Sequence, residues 1–151
     1  KGMKMKLAIA VALSHHAKLL ILDEPTSGLD PFMRDEILDI LYEFTRAEDQ
    51  SVLISSHIVS DLERLCDYIA YIDQGSLKLY EEKDRLIEQY GILKCSKEEL
   101  KEFDEQAVKG VRKNSYGVEA LVDKLKMPKD YKTDMATLEE IIVFLSKGQE
   151  E

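Results

Sequence analysis

Leu19–Pro31 reads LLILDEPTSGLDP, and this stretch decides the fold. Four apolar residues, Leu19, Leu20, Ile21 and Leu22, stop abruptly at the adjacent carboxylates Asp23 and Glu24. A short apolar run bounded by breakers is consistent with a strand buried on both sides. Two acids at its end put charge at the carboxyl edge of a sheet, where open α/β folds place their ligands. An acid in that position can hold Mg²⁺, and its neighbour can act on a water. Asp30 before Pro31 has the form of a helix N-cap followed by proline at the first helical position. The phosphate-cradling pattern Gly-x-x-x-x-Gly-Lys-[Ser/Thr] occurs nowhere in the sequence.

Outward from this stretch, Met3–Ala17 reads as a helix that is apolar almost all round, so most of its faces are expected to be buried. The helix opened by Asp30 is expected to run to about Arg46, with Ile37, Leu38, Leu41 and Phe44 on one stripe. Ser51–Ser55 (SVLIS) reads as a second strand with His57 just beyond it. Ile58–Asp67 then reads as a helix with Leu62, Leu65 and Cys66 on its inner face. Tyr68–Asp73 and Ser76–Tyr80 are expected strands around the turn Asp73-Gln74-Gly75. This alternation is the rhythm of a parallel sheet with crossover helices.

Composition changes after Gly91, which predicts domains at 1–91 and 92–151. Ile92–Cys95 reads as a short strand, and Ser96-Lys97-Glu98-Glu99 as a capping box before a helix to about Glu105. Val108–Val111 and Tyr116–Val122 suit a hairpin around Lys113-Asn114-Ser115, and residues 126–136, with Pro128, read as a loop. Thr137-Leu138-Glu139-Glu140 is a second capping box, opening a helix with Leu138, Ile141, Ile142 and Leu145 on one face.

A formal net charge of −9 argues against a general nucleic-acid binder and against polybasic attachment to anionic lipid. The local basic clusters Lys1/Lys4/Lys6 and Lys109/Arg112/Lys113 lack the interleaved aromatics of a base-stacking surface. Cys66 and Cys95 have no metal-ligand spacing and read as reduced thiols. No apolar run approaches the ~18 residues that span a bilayer. The first residue is Lys, and an N-terminal truncation is the expectation.

The Leu19–Pro31 run resembles the Walker B and D-loop segment of ATP-binding cassette (ABC) ATPases almost letter for letter. Lys1-Gly2-Met3-Lys4-Met5-Lys6 resembles the end of the family's signature motif, with Lys1 where the first Gly would stand, Gly2 the second and Met3 the Gln. Ser55-Ser56-His57 resembles the segment that carries the switch histidine. The likeness covers roughly residues 1–90 and identifies the chain as similar to the C-terminal part of an ABC transporter ATP-binding protein, from the signature motif onward. It implies an α/β fold: part of the parallel P-loop NTPase sheet with helices on both faces, followed by a small α+β appendage.

The same resemblance implies roles. Asp23 would be the metal residue, holding Mg²⁺ commonly through water. Glu24 would orient and deprotonate the attacking water, help worth roughly 10²–10⁴-fold in rate. His57 would contact the γ-phosphate and the water. Gly2 and Met3 would clamp nucleotide from a helix N-terminus, and Ser27 and Asp30 belong to the D-loop, which in this family crosses to a partner cassette. Read without the family, Asp23-Glu24 begins a turn, Asp30 caps a helix and a lone His57 is a surface or satisfied core residue. His15 and His16 receive no role.

The implied whole is the ATP-hydrolysing subunit of an ABC transporter, of exporter type by the likeness of its tail, using ATP and Mg²⁺. Its partners would be membrane-spanning subunits and a second nucleotide-binding domain, with no nucleic acid, on the cytoplasmic face of the membrane. The alternatives are a soluble cassette ATPase acting on nucleic acid or ribosomes, and a non-catalytic interaction module. Without a phosphate loop these 151 residues are expected to be inactive alone. An uncovered apolar strand edge at Ser51–Ser55 is expected to close internally or to pair with another copy.

Overall fold

The structure is a computed structural model that describes residues 2–114, 117–128 and 130–147. The chain divides into two compact units, residues 1–66 and 67–151, each taken by itself below.

In the first unit α1 (Gly2–Ser14) leads to β1 (Leu19–Asp23), α2 (Pro31–Thr45), β2 (Ser51–Ser55) and α3 (Val59–Leu65). β1 and β2 pair in parallel, from Leu19 opposite Ser51 to Asp23 opposite Ser55, with α2 as the crossover. Because side chains alternate along a strand, Leu20 and Leu22 share one face with Val52 and Ile54. On that face they meet Ile9 and Ala12 of α1, Ile37, Leu41 and Phe44 of α2, and Leu65 of α3. Asp30 caps α2, its carboxylate accepting from the Met33 backbone N–H at 3.0 Å, with Pro31 opening the helix.

Two expectations about this unit are corrected. β1 is not buried on both sides: Leu19 and Ile21 stand in the open with Leu53 of β2, Ile21 being 71% exposed. Within the unit the helices pack on one face of the strand pair, which leaves the other bare. α1 ends at Ser14 rather than Ala17, and Ile9 is its buried residue, while Met3, Leu7 and Val11 are exposed. The apolar ring of α1 is wider than the surface α2 and the strands offer it.

The second unit begins with the hairpin β3 (Tyr68–Asp73) and β4 (Ser76–Glu82), antiparallel around Gln74 (φ 48°) and Gly75 (φ 74°). Two successive left-handed residues match the twist of a two-residue hairpin loop. The helix α4 (Lys83–Gln89) and the strand β5 (Tyr90–Cys95) follow, then α5 (Lys97–Leu100), β6 (Val108–Asn114), β7 (Gly117–Asp123), a 3₁₀ turn (Lys124–Lys126), β8 (Asp134–Met135) and α6 (Leu138–Lys147). The sheet runs β6-β7-β5-β8, with every neighbouring pair antiparallel. Leu93, Val108, Ala120 and Val122 form its core on one side, with Phe103 and Met127 against them. α6 packs on β6 and β7 and buries Leu138, Ile141 and Phe144. Gly110 permits its approach, since a Cβ there would lie 2.5 Å from the Phe144 carbonyl oxygen.

The units part at Cys66 and Asp67, not at the compositional change near residue 91. The reason is α4, which packs on β4, β5 and α6 and so draws the β3–β4 hairpin into the second unit. Of the expected hairpin turn, Ser115 and Tyr116 lie outside the described residues. Helix α5 is one turn long and stops well short of Glu105, and the expected loop 126–136 contains the short strand β8.

Candidate functional site

The carboxyl ends of β1 and β2 bring the two acids to the histidine. In-register parallel pairing sets Asp23 opposite Ser55, and the Ser55 hydroxyl donates to Asp23 Oδ1 at 2.5 Å. The Glu24 backbone N–H reaches the Ser55 carbonyl at 3.0 Å and its hydroxyl oxygen at 3.1 Å, which carries the ladder one residue past β1. Glu24 then turns sharply, at φ 46°, in the left-handed region that a side chain disfavours. This bend carries the chain away from the strand and turns the glutamate toward the end of β2. There His57 Nδ1 lies 2.7 Å from Glu24 Oε2. Both side chains are open to solvent, Glu24 at 35% and His57 at 67% exposure.

Chemically, Asp23 offers a hard carboxylate oxygen oriented by a hydroxyl, and Glu24 a carboxylate oriented by an imidazole. Mg²⁺ takes one or two carboxylates, keeps several waters and completes its shell with substrate phosphates, so the donor set at Asp23 fits it. Among the described residues no three His, Cys, Asp or Glu side chains group into an all-protein metal cage. The Glu24–His57 contact engages one carboxylate oxygen with a ring nitrogen, an arrangement that would suit a base with an orienting partner.

Beyond Glu24, the backbone N–H groups of Ser27 and Leu29 donate to the Glu24 and Thr26 carbonyls at 3.2 and 3.3 Å. Gly28 takes φ 67°, and the turn delivers Asp30 to its cap. Ser27 and Asp30 therefore follow directly on the acids, but Asp30 is occupied by the Met33 N–H. Gly2 and Met3 lie on another element and take no part in this hydrogen-bonded group. A Cβ at Gly2 would meet Met33 Cε at 2.7 Å, so α1 starts hard against α2, and Met3 is 82% exposed. Lys1 lies outside the described residues.

Four polar residues escaped the sequence reading. Ser55 orients Asp23, while Thr26, Arg34 and Asp61 form a buried group behind the turn. Asp61 Oδ2 accepts from the Thr26 hydroxyl at 2.5 Å, Oδ1 accepts from Arg34 Nε at 2.6 Å, and Arg34 Nη2 also reaches the Ser60 hydroxyl at 2.7 Å. A signal existed: Asp61 shares the helical stripe Ile58, Asp61, Leu62, Leu65, where an acid among apolar neighbours needs a partner.

The chain is similar to known proteins over part of its length. Residues 1–60 match the family model "AAA domain, putative AbiEii toxin, Type IV TA system". The curated homologues are ABC transporter ATP-binding proteins. One, the lantibiotic transport ATP-binding protein SrtF of Streptococcus pyogenes, is 47% identical over 83 residues, 55% of this chain and 36% of the relative. Another, the bacitracin transport ATP-binding protein BcrA of Bacillus licheniformis, is 46% identical over 76 residues, 50% of this chain and 25% of the relative. The chain thus spans about a third or less of the length of these relatives. A solved structure titled "An inward-facing conformation of a putative metal-chelate type ABC transporter" matches in fold, with TM-score 0.51 and 21% identity, over 81% of this chain and 46% of its own.

Proposed function

From this kinship with ABC transporter ATP-binding proteins, we propose that Asp23, Glu24 and His57 are the metal-holding and water-handling half of an ATPase site, in the ATP-hydrolysing subunit of a transporter. The observation that carries the proposal is the 2.7 Å contact between His57 Nδ1 and Glu24 Oε2 at the ends of paired parallel strands. Two relatives named for transport of a lantibiotic and of bacitracin support a role in moving peptide antibiotics outward. On this proposal the subunit works at the cytoplasmic face of a membrane, against membrane-spanning subunits and a second nucleotide-binding domain that faces Ser27 and Asp30. Among the described residues no helix is long and apolar enough to cross a membrane.

In such a site Asp23, held by Ser55, would be the residue to hold Mg²⁺, which when bound would neutralise charge on the phosphates. With its proton on Nδ1, His57 donates to one Glu24 oxygen and fixes the carboxylate. The other oxygen accepts a proton from water. Nε2 of the same ring then points its lone pair, or in the imidazolium a second N–H, away from Glu24. The Ser27 N–H, donating to the Glu24 carbonyl, closes the turn that begins at the left-handed Glu24, and Asp30 follows as the cap of α2.

A segment exchange tests the proposal. The matched segment of the Bacillus licheniformis relative is replaced by that of this chain, and ATP hydrolysis is measured with and without Glu24→Gln. Turnover that falls by roughly 10²-fold or more in the variant is expected. Turnover that Glu24→Gln leaves intact would remove Glu24 from the chemistry.

A further inference from the structure

Asp61 is fully buried, 0% exposed, yet none of the roles assigned above uses it. A carboxylate removed from water is strongly unfavourable unless paired and hydrogen-bonded. Both of its oxygens are engaged, by the Thr26 hydroxyl and by the Arg34 guanidinium. Thr26 is itself buried, at 1% exposure. Each partner leads back to the site. Thr26 is two residues beyond Glu24, in the turn closed by the Ser27 and Leu29 N–H groups. Arg34 donates its backbone N–H to the Asp30 carbonyl at 3.0 Å, at the start of α2. Asp61 itself lies four residues beyond His57, in the first turn of α3. Its N–H donates to the Ile58 carbonyl at 3.0 Å, and the Ile58 N–H to the Ser56 hydroxyl at 3.0 Å, so short bonds flank the histidine on its chain.

We propose that Asp61 is a positioning residue: through Thr26 it ties the turn bearing Glu24 to the segment bearing His57, and so sets the separation of the pair. Asp61 touches neither member directly, and Arg34 pairs with its carboxylate as the buried counter-charge. Among the described side chains no buried nitrogen or oxygen lacks a partner, so the group is closed. Loss of one hydrogen bond leaves a buried polar atom stranded, and the cheapest relief is movement of one segment away from the other. The inference rests on reading Glu24 and His57 as the water-handling pair. Its test reads the geometry of the pair rather than turnover, so it can fail while the segment exchange succeeds, and the reverse.

The test uses the 151-residue chain labelled with ¹⁵N at histidine, whose other two rings, His15 and His16, follow the end of α1 and serve as internal references. Thr26→Val removes the hydroxyl at nearly constant volume, Thr26→Ser restores it, and Asp61→Asn removes the charge. Thr26→Val and Asp61→Asn are expected to abolish the hydrogen-bonded ¹⁵Nδ1 signature of His57 and to leave the His15 and His16 rings unchanged. Thr26→Ser is expected to keep the wild-type His57 spectrum. If Asp61→Asn does not fold, the Thr26 pair decides. A folded Thr26→Val chain with a wild-type His57 ring overturns the proposal, and so does a change that moves all three rings together.

Discussion

A glutamate at φ 46° places its Cβ against the following carbonyl, a conformation that costs about 1–2 kcal/mol in a residue other than glycine. Glu24 holds it where the chain leaves β1, and strain of this kind collects at functional sites. Glu24→Gly should therefore melt no lower than the wild-type chain, and up to about 1 kcal/mol higher, by calorimetric unfolding. The same change should remove hydrolysis in the exchanged protein. A clear loss of stability would mean that the Glu24–His57 contact, not the backbone, dominates at this position. Asp23, Glu24 and His57 were legible in the sequence because their chemistry is carried by identity and order along the chain. Asp61, Thr26 and Arg34 were not, since burial of a polar side chain is decided by which elements pack above it. Met3, singled out by motif likeness alone, stands exposed near the start of α1.

Caps were the most readable elements. Asp30 before Pro31 begins α2 as the letters indicate, and Asp30→Ala should lower stability by about 1 kcal/mol, measured by denaturant unfolding, with Asp30→Asn nearly neutral. Ser96 and Glu99 form a complete capping box on α5. The Ser96 backbone N–H, and then its hydroxyl, hold the Glu99 carboxyl below the usual glutamate range. A depressed carboxyl contributes its stabilisation above its unfolded value and loses it as pH falls through the folded one. The box should thus open only at acidic pH. In Ser96→Ala, which keeps the N–H, the Glu99 carboxyl should titrate closer to an ordinary glutamate by ¹³C NMR, and an unchanged midpoint would assign the shift to the backbone alone.

Helix ends were harder to read. α5 stops at Leu100 because Lys101 and Glu102 bond three residues back, to Glu98 and Glu99, and the Asp104 carboxylate then takes the Gln106 N–H at 2.8 Å to make a turn. α4 went unread because seven residues with Leu86 as the buried one leave little periodicity to see. On α6 the inner face is Leu138, Ile141 and Phe144, with Ile142 and Leu145 half-buried, a rotation that α4 beside it accounts for.

At the scale of the molecule, the α/β class and the parallel pairing of β1 with β2 agree with the alternation seen in the sequence, but among the described residues β3 pairs antiparallel with β4 instead of extending the parallel sheet. The division at Cys66 does not follow from that alternation, since it depends on where α4 packs. Titration calorimetry of the 151-residue chain with Mg-ATP should detect no binding, with Asp23→Asn as the control. The reason is that the sequence holds no Gly-x-x-x-x-Gly-Lys-[Ser/Thr] run to cradle a triphosphate. Binding that Asp23→Asn weakens would show that these residues build a nucleotide site by another route.

Asp23, Glu24, Thr26, Arg34, Ser55, His57 and Asp61 all fall within residues 1–66. Their hydrogen bonds to one another join β1, α2, β2 and α3 of the first unit. The first unit thus carries a hydrogen-bonded group of its own making. A substitution within this group disturbs several bonds at once, so residues 1–66 have less freedom to vary than a surface without such a group. Sequence drift among descendants should accordingly run at two speeds, slow before that boundary and fast after it.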